Sequence, residues 1–170
     1  MKKLLFLVVT IMSLSSVMAQ SKVAHVNSQK LLDTLPSRKA AMKTLGEFET
    51  SGVNELKEME EDLQKAYTKY MAEKDKLSPV MQQYEEERLQ KKQYAMQQRE
   101  QELQTQISNL GQDLNTPILK RVQKAVDIVS ERKKLNYVID ESVTLYFKGG
   151  MDITNEVMIE LLKIDAEETK

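Results

Sequence analysis

The chain has 170 residues, enough for one domain of ordinary size. It is 30% charged and 5% aromatic, with no Trp, no Cys and five Gly, and its formal net charge is −1. That composition excludes a disulfide scaffold and a large aromatic core, and it gives no basic face for nucleic acid. It favours long helices with narrow apolar seams.

The N-terminus reads as a targeting segment over residues 1–19. Lys2 and Lys3 precede the apolar run Leu4 to Met12, and Ser15 to Ala19 supply short residues at the positions a signal peptidase reads. The apolar run is too short to span a membrane, so cleavage after Ala19 is expected, with no membrane span in the mature chain. No Cys stands at the cleavage position for a lipid anchor. Removing Lys2 and Lys3 leaves 23 basic against 26 acidic residues, a net charge of −3.

The segment Lys22 to Asn27 alternates as a short strand. Asn27 or Ser28 caps a brief helix to Leu35, and Pro36 breaks it. From near Ser37 the chain reads as one arm of a long helical hairpin. Leu56, Met59, Leu63, Ala66, Tyr70 and Leu77 follow steps of three and four, with Glu73 in the one missing place. Met42, Leu45, Phe48 and Val53 form the lower apolar side of this arm. Gly46 and Gly52 there mark either close helix packing or a flexible root.

Ser78-Pro79 forms the tip, because proline disfavours a helical residue before it and fits the first turn of a new helix. The return arm carries nine Gln between Gln82 and Gln106, with sparse apolar residues at Tyr84, Leu89, Tyr94, Ala95, Met96 and Leu103. This half is expected to be a thin, solvated and mobile rod. Arg88, Lys91, Lys92 and Arg99 read as a basic patch on a solvated face. From Leu103 the seam recovers through Ile107, Leu110, Leu114, Ile118, Val122, Ala125 and Val129, with a bend expected at Pro117. Antiparallel pairing about the tip gives partners whose numbers sum to about 157, placing Leu63 opposite Tyr94 and Phe48 near Leu110. Each arm of about forty residues spans ~60 Å.

Beyond the arm, Tyr137 to Asp140 and Ser142 to Phe147 read as a two-stranded hairpin turning at Asp140-Glu141-Ser142. Asp152 caps a last helix whose apolar side holds Ile153, Val157, Ile159, Leu161 and Ile164. The predicted fold is therefore mainly α with a small α+β body. Residues 20–36 and 121–170 form the body, and residues 37–120 form the hairpin. So small a body buries too little to stand alone. Its apolar strand positions Val23, Val26, Val138, Ile139, Val143, Leu145 and Phe147 are expected to be shared between chains.

Site chemistry is sparse. Five scattered glycines make no phosphate loop, and the single His25 with no Cys leaves no nucleophile pair, so no catalytic residue, metal site or cofactor is expected. The hairpin does carry Met59, Tyr67, Tyr70, Met71, Met81, Tyr84, Tyr94 and Met96. Met is adaptable and Tyr amphipathic, which suits weak binding of many unfolded sequences, while helical spacing alone would place some of them in the seam.

The order of elements resembles the Skp (OmpH-like) family of periplasmic chaperones. The resemblance runs through the signal peptide, Lys22-Val-Ala-His-Val-Asn-Ser-Gln-Lys-Leu-Leu32, the helical hairpin, Pro117-Ile-Leu-Lys-Arg-Val-Gln-Lys-Ala-Val126, Tyr137-Val-Ile-Asp140 and Asp152-Ile-Thr154. It implies a periplasmic homotrimer whose hairpins surround a cavity and hold unfolded outer-membrane proteins without ATP. The mature chain is slightly acidic where the best-known members are strongly basic, so a broad positive trap is not expected here. A structural coiled-coil spacer of the envelope is the competing expectation.

Overall fold

The structure, a computed structural model, describes residues 22–169; the signal-peptide assignment lies outside them. The chain forms β1 (Val23–Val26), α1 (Ser28–Thr34), α2 (Pro36–Glu73), α3 (Pro79–Lys133), β2 (Tyr137–Asp140), β3 (Met151–Asp152) and α4 (Thr154–Glu168). Short 3-10 turns lie at Lys74–Lys76 and Glu141–Val143. Two compact units result. One is residues 37–118; the other combines residues 22–36 with 119–169.

The first unit is the antiparallel hairpin of α2 and the larger part of α3. Its register is read from the pairs that join the arms: Glu55 with Arg99, Asp62 with Lys92, and Tyr70 with Glu86. Their numbers sum to 154, 154 and 156, slightly below the expected 157. Tyr94 is out of phase with the covered positions Lys92 and Met96 of the return arm and is 61% exposed, so it is not a seam residue. The stripe Leu56, Met59, Leu63, Ala66, Tyr70 and Leu77 is buried or half-buried, but Lys74 rather than Glu73 occupies the missing place. α2 ends at Glu73, and the following 3-10 turn rotates Lys74 inward over the Tyr70 ring, 5.6 Å from its centroid.

At the tip, Ser78 Oγ accepts from the Met81 N–H at 3.4 Å and Pro79 starts α3. The Gln82 amide donates to the carbonyls of Lys74 and Leu77, at 2.9 and 3.2 Å. The Lys74 carbonyl also accepts from the Leu77 N–H at 3.1 Å, and the Gln82 side chain ties both carbonyls to the start of α3. In the return arm, Leu103, Ile107, Leu110, Leu114, Ile118, Val122, Ala125 and Val129 are all buried or half-buried, and α3 runs unbroken through Pro117.

The second unit is built around β1, the central strand of a three-stranded sheet ordered β2-β1-β3. Both pairings are parallel: Val23 to Val26 pair with Tyr137 to Asp140, and Ala24 and His25 pair with Met151 and Asp152. Ala24 and Val26 point into a core with Leu31, Leu35, Val129, Ile153, Val157 and Leu161. Asn27 caps α1 by accepting from the Lys30 N–H at 2.9 Å, and its own N–H donates to Thr154 Oγ1 at the start of α4. A row of ion pairs joins the end of α3 to α4. Arg121 meets Asp165 and Glu168, each at 3.1 Å, while Lys124 pairs with Glu168, Arg132 with Glu160 and Lys133 with Glu156.

Three expectations are corrected here. Ser142 to Phe147 is not a strand. The Asp140 carboxylate accepts from the Ser142 N–H at 3.1 Å and turns the chain into a 3-10 turn, so no antiparallel hairpin forms. The chain then continues to Gly149 and Gly150, whose φ values of +91° and +95° suit glycine, and it adds β3 on the far side of β1. The β-propensity of Val143 to Phe147 is overridden by these turns. Asp152 does cap α4, but from one residue further out, accepting from the Thr154 N–H at 2.8 Å. Ile159 faces outward while Ile153, Val157, Leu161 and Ile164 are buried.

The two helical glycines divide. A Cβ on Gly52 would lie 3.1 Å from Leu103 Cδ2, whereas one on Gly46 would meet nothing within 4 Å. Gly52 is therefore a close-packing position. Replacing a helical Gly by Ala is worth roughly 1 kcal/mol where space allows. Gly46→Ala is expected to stabilise the chain by about that amount, and Gly52→Ala to gain nothing because Leu103 must shift. Urea unfolding of both variants checks this.

Candidate functional site

Two surfaces carry the chemistry. The first is the hairpin. Its return arm keeps a helical seam through Gln82, Glu85, Leu89, Lys92, Met96, Arg99 and Leu103, each more covered than its neighbours. Apolar Leu89, Met96 and Leu103 thus recur every seven residues, with charged Glu85, Lys92 and Arg99 between them. Arg99 makes a bidentate pair across the arms, Nε to Glu55 Oε1 at 2.8 Å and Nη2 to Oε2 at 3.0 Å. Lys92 Nζ lies 2.9 Å from Asp62. Hydrogen bonding to Arg99 holds the Glu55 carboxyl below the usual carboxylate range, and Lys92 does the same to Asp62. Exposed pairs of this kind add little stability, but a forked Arg–carboxylate contact fixes register. Lys92 and Arg99 therefore belong to the contact between the arms and not to a free basic patch. A search for apolar periodicity misses them; their heptad spacing from Glu85 is the signal that finds them.

The Met and Tyr candidates separate into two groups. Tyr70 is 5% exposed and donates its hydroxyl to Glu86 at 2.6 Å, and Met59 and Met96 are half-buried in the seam. Tyr67, Met71, Met81, Tyr84 and Tyr94 are exposed. Tyr67 and Met71 lie one turn apart and line an open groove of about 590 Å³ between the arms, together with Leu63 and Leu89. Gln64, Gln90 and Gln93 add amide donors and acceptors to the same groove. It offers apolar contact and amide groups beside the charges of Lys74 and Glu86, which suits loose binding of extended chain.

The second surface is the rim of the sheet unit. Val23, Ile139, Val143, Leu145 and Phe147 are exposed, Val138 is half-buried, and Val26 is taken up by the unit's own core. Tyr137, Tyr146 and Met151 add exposed apolar area that the sequence analysis passed over. Among the described residues, His25, Glu141 and Asp152 are the group with metal-ligand types gathered together, their ligand atoms within 4.8 Å of one another. No helix among the described residues is long and apolar enough to cross a membrane.

The profile of the family described as outer membrane protein (OmpH-like) matches residues 22–161. The chaperone protein Skp of Photorhabdus laumondii subsp. laumondii is 28% identical over 140 residues, covering 82% of this chain and 85% of that protein. The chaperone protein Skp of Pectobacterium atrosepticum is 29% identical over 157 residues, covering 85% and 87%. The crystal structure of an OmpH-like protein from Caulobacter crescentus CB15 superposes with a TM-score of 0.74 at 19% identity, over 88% of this chain and 86% of that one, which establishes the shared fold.

The hydrogen bond to Glu86, together with burial, pushes the Tyr70 hydroxyl up to about 12. The raised value means the neutral phenol is favoured in the folded state. The stability it contributes is whole below the ordinary tyrosine value near ~10 and is lost as pH rises towards 12. Ultraviolet titration of the six tyrosines is expected to show one late step that disappears in Tyr70→Phe.

Proposed function

Because the chain belongs to the OmpH-like outer membrane protein family, we propose that it is a periplasmic, ATP-independent holdase for unfolded outer-membrane proteins. It is exported by a cleaved signal peptide and works as a homotrimer with no catalytic role. Its hairpins surround the client, and the exposed rim of the sheet unit is the contact between chains. The observation that carries this reading is the exposed Tyr and Met set on the hairpin: Tyr67, Met71, Met81, Tyr84 and Tyr94. Each keeps between 44% and 61% of its surface in water, a large exposed area of apolar and amphipathic side chains for so thin a hairpin.

Charge supports an apolar mode of holding. The mature chain has a net charge of −3, and Lys92 and Arg99 are already engaged by Asp62 and Glu55. Many weak contacts also suit release without ATP, since no single contact then dominates dissociation. Apolar contact persists at high salt, whereas charge pairing weakens as the Debye length falls to about 3 Å at 1 M.

The test is suppression of aggregation of an unfolded β-barrel protein at near-stoichiometric ratio, followed by affinity titration at low and high salt. The client is expected to stay soluble, with affinity changing little between the two. Replacing Tyr67, Met71, Met81, Tyr84 and Tyr94 by Ser is expected to weaken binding more than replacing Arg88 and Lys91 by Gln. Met59, Met96 and Tyr70 are left intact because their loss damages the seam. A client that precipitates regardless identifies a structural spacer, and a steep salt dependence identifies capture by charge.

A further inference from the structure

The sheet unit holds a cluster that the holdase reading does not use. His25 lies on β1, Asp152 on β3 and Glu141 just past the end of β2. The parallel register pairs His25 with Asp152, which puts their side chains on one face of the sheet. Pairing of Val26 with Asp140 brings Glu141 up beside Asn27. His25 Nδ1 lies 2.7 Å from Glu141 Oε1, although 116 residues separate them.

The three groups are held in place from behind. Glu141 Oε2 accepts from Asn27 Nδ2 at 2.8 Å, and Asp152 Oδ1 accepts from the Thr154 N–H at 2.8 Å. The Phe147 ring lies against the imidazole, with centroids 4.7 Å apart. On another side, a Cβ at Gly150 would sit 3.4 Å from His25 Cδ2. This is an imidazole and two carboxylates from three adjacent segments, each oriented by a second contact; His25 and Glu141 are half-buried and Asp152 is exposed. Outer contacts of that kind orient ligands at metal sites.

We propose that His25, Glu141 and Asp152 bind a divalent cation of the Zn2+ type that fastens the three strands of the sheet unit. One nitrogen and two oxygen donors form a mixed set suited to zinc and poorly suited to Mg2+ or Ca2+, which take oxygen alone. The present 2.7 Å contact is a hydrogen bond. Around a tetrahedral ion with bonds of about 2.0–2.1 Å, His25 Nδ1 and Glu141 Oε1 part to roughly 3.3 Å, and the imidazole presents an unprotonated Nδ1 to the ion. A water or a group from another chain completes the coordination. The ion fixes the turn at Glu141–Val143 to β1 and β3 and steadies the start of the exposed segment Val143 to Phe147. The hairpin takes no part, so this proposal and the holdase reading fail independently.

Calorimetric titration of the chelator-treated protein with ZnCl2 tests it. We expect saturable binding of one Zn2+ per chain and a melting temperature that rises with zinc concentration. His25→Gln, Glu141→Gln and Asp152→Asn are each expected to weaken binding about tenfold or more. Glu141→Gln and Asp152→Asn keep an acceptor for Asn27 and Thr154, so their folding is checked by circular dichroism before titration. No saturable zinc heat, equal binding of Mg2+, or unchanged zinc affinity in a folded Glu141→Gln protein each overturns the site.

Discussion

The sheet unit depends on β1. Four residues, Val23 to Val26, supply both inner edges of the sheet, and both neighbours come from more than 100 residues later in the chain. Lose β1, and β2 and β3 have no common partner, Ala24 and Val26 leave the core, and Asn27 no longer joins the start of α1 to Thr154. Bringing such distant segments together carries a loop-closure cost that grows slowly with length. The intervening residues lower it by folding on themselves: an antiparallel hairpin returns the chain towards the place from which it left.

That hairpin forms with little apolar burial. Its outgoing arm has an apolar stripe interrupted at Lys74, but its return arm alternates apolar and charged seam positions. The charged layers, Glu55 with Arg99 and Asp62 with Lys92, contribute register more than energy. A one-residue slip would leave Arg99 without its fork of hydrogen bonds and would press Leu103 away from the one place where Gly52 makes room for it. The arms are thus aligned by specific contacts while staying thin. A thin seam leaves large side chains such as Tyr67 and Met71 about half exposed, and the proposed client binding draws on those residues.

Much of this was legible in the sequence because it is local. Pro36 and Ser78-Pro79 mark breaks whose mechanism lies in the proline ring, and the three-and-four spacing from Leu56 to Leu77 marks a helix face. Asn27 announces a cap. What the sequence hid is pairing at a distance. Nothing local says that Tyr137 to Asp140 runs parallel to β1 and not against Ser142 to Phe147, since both segments have strand composition. The decision rests on Asp140 turning the backbone at Ser142 and on two glycines at positive φ. Lys92 and Arg99 read as solvated because an apolar scan records them only as gaps. His25 reads as a lone histidine because Glu141 and Asp152 reach it only through the sheet register.

The central claim is that the apolar rim of the sheet unit is completed by other copies of the chain, so that several hairpins serve one client. Sedimentation equilibrium over roughly a hundredfold dilution, without client, tests it most directly. The account predicts the mass of three chains at high concentration, falling on dilution together with the melting temperature, and a substitution of Ile139 by Asp that stays dissociated throughout. A single-chain mass at every concentration, with an unchanging melting temperature, would contradict it.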